Sequence, residues 1–296
     1  MLFRSLTILT FVAALSCAAA FARDTKTKDT KPATATATPK PLPFEPDEQL
    51  VYAGEFSRAL LRGINIAEFK FTVERRDVTT PTMTQGVRGQ VVTPNLVFKA
   101  DALAKGWFRK LFGLDFHYNS ESVVEPQSFL ILRTTTHDEQ GKRVRDSEAV
   151  FDRVHNQLTW TLRNPNDPES EPRVVTASVG DASHDLISAI YFLRTQPLEP
   201  GRTFDLMVSD SGAVYHVPVR VGERKRMKSV VGRVETVRVD VDIFGAERLI
   251  ARKGEMTLWL TDDARRLPVR ARVNTDLGTL DITLKKVSGG NAATRR

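Results

Sequence analysis

The sequence predicts a mainly β protein, built as one strongly curved antiparallel sheet or open barrel with one or two short helices on its concave side. Three observations lead there. Apolar and polar residues alternate with a period of two through much of residues 44–287, the mark of half-buried strands. In the C-terminal part the alternating runs are joined by turns too short for crossover helices, which excludes a parallel arrangement there. Only two segments break the alternation, and one of them has clear helical spacing.

Taken in order, the chain opens with Arg4, an apolar run from Leu6 to Leu15, and Ala20-Phe21-Ala22. Charge, apolar run and small residues in that sequence read as a secretory signal cleaved near Ala22. Its apolar part is shorter than the roughly 20 residues of a membrane-spanning helix, so the mature chain is expected to have no transmembrane span. Ala14-Leu15-Ser16-Cys17 offers an alternative, a lipid anchor on Cys17, although the leucine usual three positions before the cysteine is replaced by Ala14. Cleavage after Ala22 would remove the sole cysteine, and with it any disulfide or cysteine metal site. The expected location is therefore exported, periplasmic or outer-envelope associated. Residues 23–43, rich in Thr, Ala, Pro and Lys, cannot bury enough apolar surface to fold and read as a disordered linker. Residues 288–296 read as a disordered tail, leaving 44–287 as a single large β domain.

Within that domain, strands are expected at 50–56, 64–75, 88–100, 128–136, 146–153 and 157–163. The apolar phase shifts from Ile64 and Ile66 to Phe69, Phe71 and Val73, which predicts a β-bulge near Ala67. The segment 103–116 reads as a short helix followed by a strand. Residues 182–195 place Leu186, Ile187, Ile190 and Tyr191 on one helical face, with Asp181 or Ser183 as N-cap and Arg194 near the C-terminal end of the dipole. Val237 to Ile243, Met256 to Leu260, Leu267 to Val273 and Leu280 to Leu284 then form an antiparallel meander.

The chain has 43 basic and 36 acidic residues, and its densest cationic cluster is Arg224, Lys225, Arg226 and Lys228. In an exported protein such a cluster meets anionic lipid, lipopolysaccharide or peptidoglycan, or it is a solvated turn between two strands. Nucleic acid is not an expected partner in that compartment. Trp107, Phe108, Leu111 and Phe112 surround Arg109 and Lys110. They form either a lid or membrane-contact surface, or a helix packed on the sheet with its basic side in water.

Chemistry is sparse. The five histidines show no short metal-ligand spacing. Ser183-His184-Asp185 contains the residue types of a catalytic triad, but neighbours on a helix point about 100° apart and cannot converge. Asp262-Asp263 fits a turn better than acid–base work or calcium. No phosphate-binding glycine loop is present. No catalytic residue, metal or cofactor is therefore expected.

Several phrases carry a resemblance: Gly63-Ile64-Asn65-Ile66-Ala67-Glu68, Asp185 to Arg194, Leu198-Glu199-Pro200-Gly201, and Leu258 to Arg270. In that order they resemble a bacterial family known only as domain-of-unknown-function family 3108, over about residues 44–287. Asn65-Ile66-Ala67 departs from the family, whose members more often have a small residue and a second glycine there. The resemblance implies an exported envelope protein with no established activity and a fold broadly similar to Lol-type lipoprotein carriers. The function this suggests is non-enzymatic binding of an apolar or lipid ligand or of an envelope protein partner. A structural or assembly role with a filled core, and a hydrolase with dispersed catalytic residues, are the alternatives. Oligomeric state has no signature in the sequence.

Overall fold

The computed structural model describes residues 42–84, 87–105, 115–180 and 183–289, and over 78–92 its backbone only. The signal sequence, Cys17, most of the linker, residues 290–296, Asp181 and the segment 107–112 lie outside the described residues.

Strands dominate because β-branched and aromatic residues recur at alternate positions between short polar turns. The first half contains β1 (Gln49–Arg58), β2 (Leu61–Thr84), β3 (Val87–Ala104), β4 (Phe116–Val124), β5 (Ile131–Gln140), β6 (Arg143–Asp152), β7 (Gln157–Arg163) and β8 (Arg173–Ser178). The second contains β9 (Ser183–His184), β10 (Thr203–Asp210), β11 (Ala213–Ser229), β12 (Gly232–Val241), β13 (Gly254–Thr261), β14 (Pro268–Thr275) and β15 (Gly278–Ser288). Helix α1 (Leu186–Thr195) lies between β9 and β10.

All fifteen strands belong to one sheet, ordered β8 through β1 and then β15 back to β9. Neighbours in the sheet are neighbours in sequence except where β1 pairs with β15 and joins the two halves. Every pairing is antiparallel save the two-residue contact of β9 with β10. Among the described residues no ladder joins β8 to β9, so the sheet is open. It nevertheless bends round on itself. Gly212, in the β10–β11 turn, sits so close to β8 that an added Cβ would lie 2.8 Å from Val175 and 3.3 Å from Trp160 of β7.

Bulges supply part of that bend. Gly54 pairs with Ala67 but Glu55 with Asn65, leaving Ile66 as the extra residue at the place where the apolar phase changes. The C-terminal meander forms β12 to β15 in the expected order. The long connection 242–253 between β12 and β13 contributes Phe244 and Leu249 to the core.

The interior is filled from both sides by α1. Ile187 and Tyr191 pack into one apolar cluster with Phe98, Leu96, Val73 and Phe129. Ala189 and Leu193 pack into another with Leu206, Val217, Val239 and Leu260. Tyr191 stacks on Phe98 at 4.1 Å, and Phe44 meets both rings edge-on. Burying each such large side chain contributes about 1.5–3 kcal/mol, so the helix is a structural plug rather than a surface ornament.

Three expectations need correction. Helix α1 starts at Leu186 rather than near Ala182, because Ser183 and His184 join β10 as a strand. Its N-cap is therefore Asp185, not Ser183, and Ser188 completes a capping box. Arg224, Lys225, Arg226 and Lys228 lie within β11, paired with β12, and the turn falls at 230–231.

Arg194 stands in the last turn of α1 as expected, and it is also fully buried. Its Nη1 lies 2.5 Å from Glu48 Oε1, and its guanidinium also donates to the carbonyls of Pro43 and Arg265. The ion pair ties the end of α1 to the chain just before β1.

Candidate functional site

Among the described residues, the open sheet and its plug leave a partly open pocket near the seam where β7 and β8 approach β10. It is a cavity of about 80 Å³. A single water needs only about 10–15 Å³ of such space, so the pocket has room for several waters or a small polar group. Its position follows from strand alternation. Tyr118 of β4, Asp138 of β5, Arg145 of β6 and Trp160 of β7 point to the same side of successive antiparallel strands, and each lines the cavity. Asp185 at the start of α1 and Asp210 at the end of β10 close it from the other half.

Asp185 is locked by four hydrogen bonds. One oxygen accepts from the Ser188 backbone N–H and hydroxyl, each at 2.7 Å. The other accepts from the hydroxyls of Ser122 and, at 2.6 Å, Thr134. These four donors satisfy a buried carboxylate, and the cap binds the helix to β4 and β5 at once. Asp138 is held by Arg143 at 2.9 Å and by Gln140, yet burial outweighs them and raises its carboxyl above the usual range.

Asp210 differs from both. Burial pushes its carboxyl up to about 7, the nearby Asp185 charge adds to this, and the Ser211 side chain only partly offsets it. A carboxyl poised there gains or loses its proton near neutrality. Burial likewise pushes the Tyr118 hydroxyl up to about 12, helped by the charges of Asp210 and Asp185. The lining thus brings together three carboxyls, of which Asp138 is already paired with Arg143, and the guanidinium of Arg145, beside an indole wall. Such a lining offers carboxylate acceptors to a small cation with hydrogen-bond donors.

His184, next to Asp185, faces away from the cavity lining. It stacks on Phe192 at 4.2 Å, and neither ring nitrogen has a hydrogen-bond partner among the described residues. Burial pushes it down to about 4. Ser183 donates to the Gly180 carbonyl, so the three consecutive residues have separate duties and form no triad.

The other residues singled out by the sequence fall elsewhere. Trp107, Phe108, Leu111 and Phe112 lie outside the described residues. Arg224, Lys225, Arg226 and Lys228 lie on exposed β11, away from the cavity. Asp263 accepts from the backbone of Arg265 and Arg266 and from Thr261, a turn role. Among the described residues no group of three or more His, Cys, Asp or Glu is arranged to hold a metal. No helix among them is long and apolar enough to cross a membrane. A shallower groove of about 550 Å³ runs over the outer face of β10 to β13, lined by charges such as Arg220, Arg238, Asp240 and Glu255.

Sequence patterns do not reveal the cavity, because its lining comes from five strands and a helix cap. The signal available was a set of polar residues on strand faces where apolar ones would complete the core: Tyr118, Asp138 and Asp210.

Comparison with known proteins adds family and fold. The family model described as a protein of unknown function, DUF3108, matches residues 55–285. Among solved structures, the chain is similar to the crystal structure of a beta-barrel-like protein of domain of unknown function DUF1849 from Brucella abortus. The TM-score is 0.51 at 8% identity, covering 82% of this chain and 97% of that one. At such identity the likeness concerns the fold alone. No curated protein matches the sequence.

Proposed function

The chain belongs to the DUF3108 family of proteins of unknown function, and from that premise we propose that it is a non-enzymatic binding protein of the cell envelope. Its ligand site in this reading is the cavity between β4–β7, α1 and β10, and the group bound there is a small ammonium. The lining supports this reading: Asp138, Asp185 and Asp210 line, together with Arg145, a pocket of about 80 Å³.

Size argues for a polar group over an acyl chain. Pockets for drug-sized ligands are typically about 300–1,000 Å³, and helix α1 occupies the space an acyl chain would need. The 550 Å³ outer groove is large enough, but six charged side chains, among them Arg220, Arg238 and Asp240, interrupt its apolar residues. Bound next to Asp210, an ammonium would favour the ionised carboxylate, so binding releases a proton near neutral pH.

Export is part of the same reading, supported by Arg4, the apolar run over 6–15 and Ala20-Phe21-Ala22. The mass of the protein recovered from cells tests it: a chain starting at Arg23 fits a secreted form, and a lipid-modified Cys17 fits an anchored one. Retention of the first 22 residues would contradict both.

Ligand class is tested by titrating ethylammonium, ethanol and acetate, three probes of similar size, while following Trp160 fluorescence against a Trp160→Phe control. The best tiny ligands gain about 1.5 kcal/mol per non-hydrogen atom, so millimolar binding at best is expected for ethylammonium. Equal responses to all three probes, or a response to acetate alone, would overturn the assignment.

A further inference from the structure

We propose that the β11–β12 hairpin is a docking surface for an anionic lipid bilayer. The ladder defines the feature. Pairing of β11 with β10 ends at Arg220 opposite Thr203, and pairing of β12 with β13 begins at Thr236 opposite Thr261. Backbone bonds from the flanking chain still reach Val221 and Glu235, so residues 222–234 continue as a two-stranded ribbon beyond their neighbours. Its register breaks between Val221 and Arg224, a bulge that bends the ribbon where it leaves the sheet. The base stays fixed, because Arg224 pairs with Asp262 at 2.5 Å and Val234 packs against the core.

Beyond the base, charge is unbalanced. Residues 223–235 include Arg224, Lys225, Arg226, Lys228 and Arg233 against only Glu223 and Glu235. Arg226 lies 3.7 Å from Glu235, but Lys225, Lys228 and Arg233 have no ion-pair partner among the described residues. Lys228 stands directly opposite Arg233 in the ladder. Like charges so placed repel, and an anion lying against both would remove that repulsion.

The tip is apolar. Gly232 takes the positive φ of 105° that the turn requires, and the two corner residues are Val230 and Val231, 53% and 39% exposed. Lysine and arginine behind a pair of exposed valines match the layers of a membrane interface, phosphates outside and acyl boundary within. A soluble polyanion would satisfy the cations but leave the valines in water. The chain also enters the sheet at this end, since antiparallel alternation puts the start of β1 and the β11–β12 turn on the same side.

The test is co-sedimentation of the full exported chain with phosphatidylglycerol vesicles, with phosphatidylcholine vesicles and with soluble polyphosphate. Binding to phosphatidylglycerol alone among the vesicles, weakened by salt, is expected. The triple variant Lys225→Gln, Lys228→Gln, Arg233→Gln keeps every lysine of the 23–43 segment and should bind on the order of a hundredfold more weakly. A separate Val231→Trp variant should show a blue shift of its emission on vesicles, and matching thermal unfolding of all variants shows that the fold is intact. Absence of vesicle binding, or a triple variant that binds as well as the parent, would overturn the proposal. Binding to polyphosphate without vesicle binding would also overturn it, in favour of a soluble anionic partner.

Discussion

Single residues carry both the stability and the chemistry of this protein. Arg194 and Glu48 form an ion pair shielded almost completely from water, with exposures of 0% and 2%. Removing one partner strands the other charge in the interior. Arg194→Met is expected to destabilise the fold by about 3–5 kcal/mol, and adding Glu48→Met should recover a large part of that loss. Chemical denaturation of the single and double variants measures both. Asp210 and His184 pull stability in opposite directions with pH. Asp210 is raised from 3.8 to about 7 in the fold, so its contribution is full below pH 3.8 and lost as pH rises towards 7. His184 is depressed from 6.5 to about 4, so its contribution is full above pH 6.5 and lost as pH falls towards 4. The Asp210→Asn variant should be more stable than the parent by roughly 2–4 kcal/mol at pH 8 and little changed at pH 3.5. Adding His184→Phe to Asp210→Asn should remove the His184 share of the remaining dependence between pH 6.5 and 4, read from thermal melts across that range.

At the scale of elements, the seam is the feature that sequence patterns conceal. Period-two alternation reveals β1, β7 and the meander β12–β15, and the phase change near Ala67 reveals a bulge, because each is a local property of one strand. The turn at Gly212 is different. Its glycine has a positive φ of 83° and lies against Val175, a contact between segments 37 residues apart. Gly212→Ala is expected to cost about 1–3 kcal/mol through both backbone strain and crowding. A companion Val175→Ala change should relieve only the crowding, which urea titration of the pair would separate. Local patterns misplace the start of α1 for a related reason. Ser183 and Asp181 are good caps in isolation, but two residues of β9 pair with β10 and pass the cap to Asp185, whose carboxylate finds Ser122 and Thr134 across the interior. Ser188→Ala removes one half of the reciprocal cap and should cost about 1 kcal/mol.

Over the described residues the molecule is a single sheet that bends until its ends nearly meet, with a helix inside it and a small pocket beside the helix. Its fold class was legible because long-range closure demands nothing of sequence beyond alternation, short turns and one amphipathic helix. The cavity was not legible. Tyr118, Asp138, Arg145 and Asp210 sit in alternating patterns that, strand by strand, look like ordinary polar faces, and only curvature turns those faces inward. Arg194 was likewise legible as a helix-end cation but not as half of a buried pair, since Glu48 lies 146 residues away. The buried carboxyl of Asp210 is expected to hold a proton near neutrality and to release it to water when an ammonium binds beside it. Carbon-13 NMR titration of the aspartate carboxyls, assigned with Asp210→Asn, tests this directly. The predicted result is a midpoint near 7 for Asp210, moving to lower pH as ethylammonium is added. An ordinary carboxylate midpoint near 4, unmoved by the amine, would contradict it.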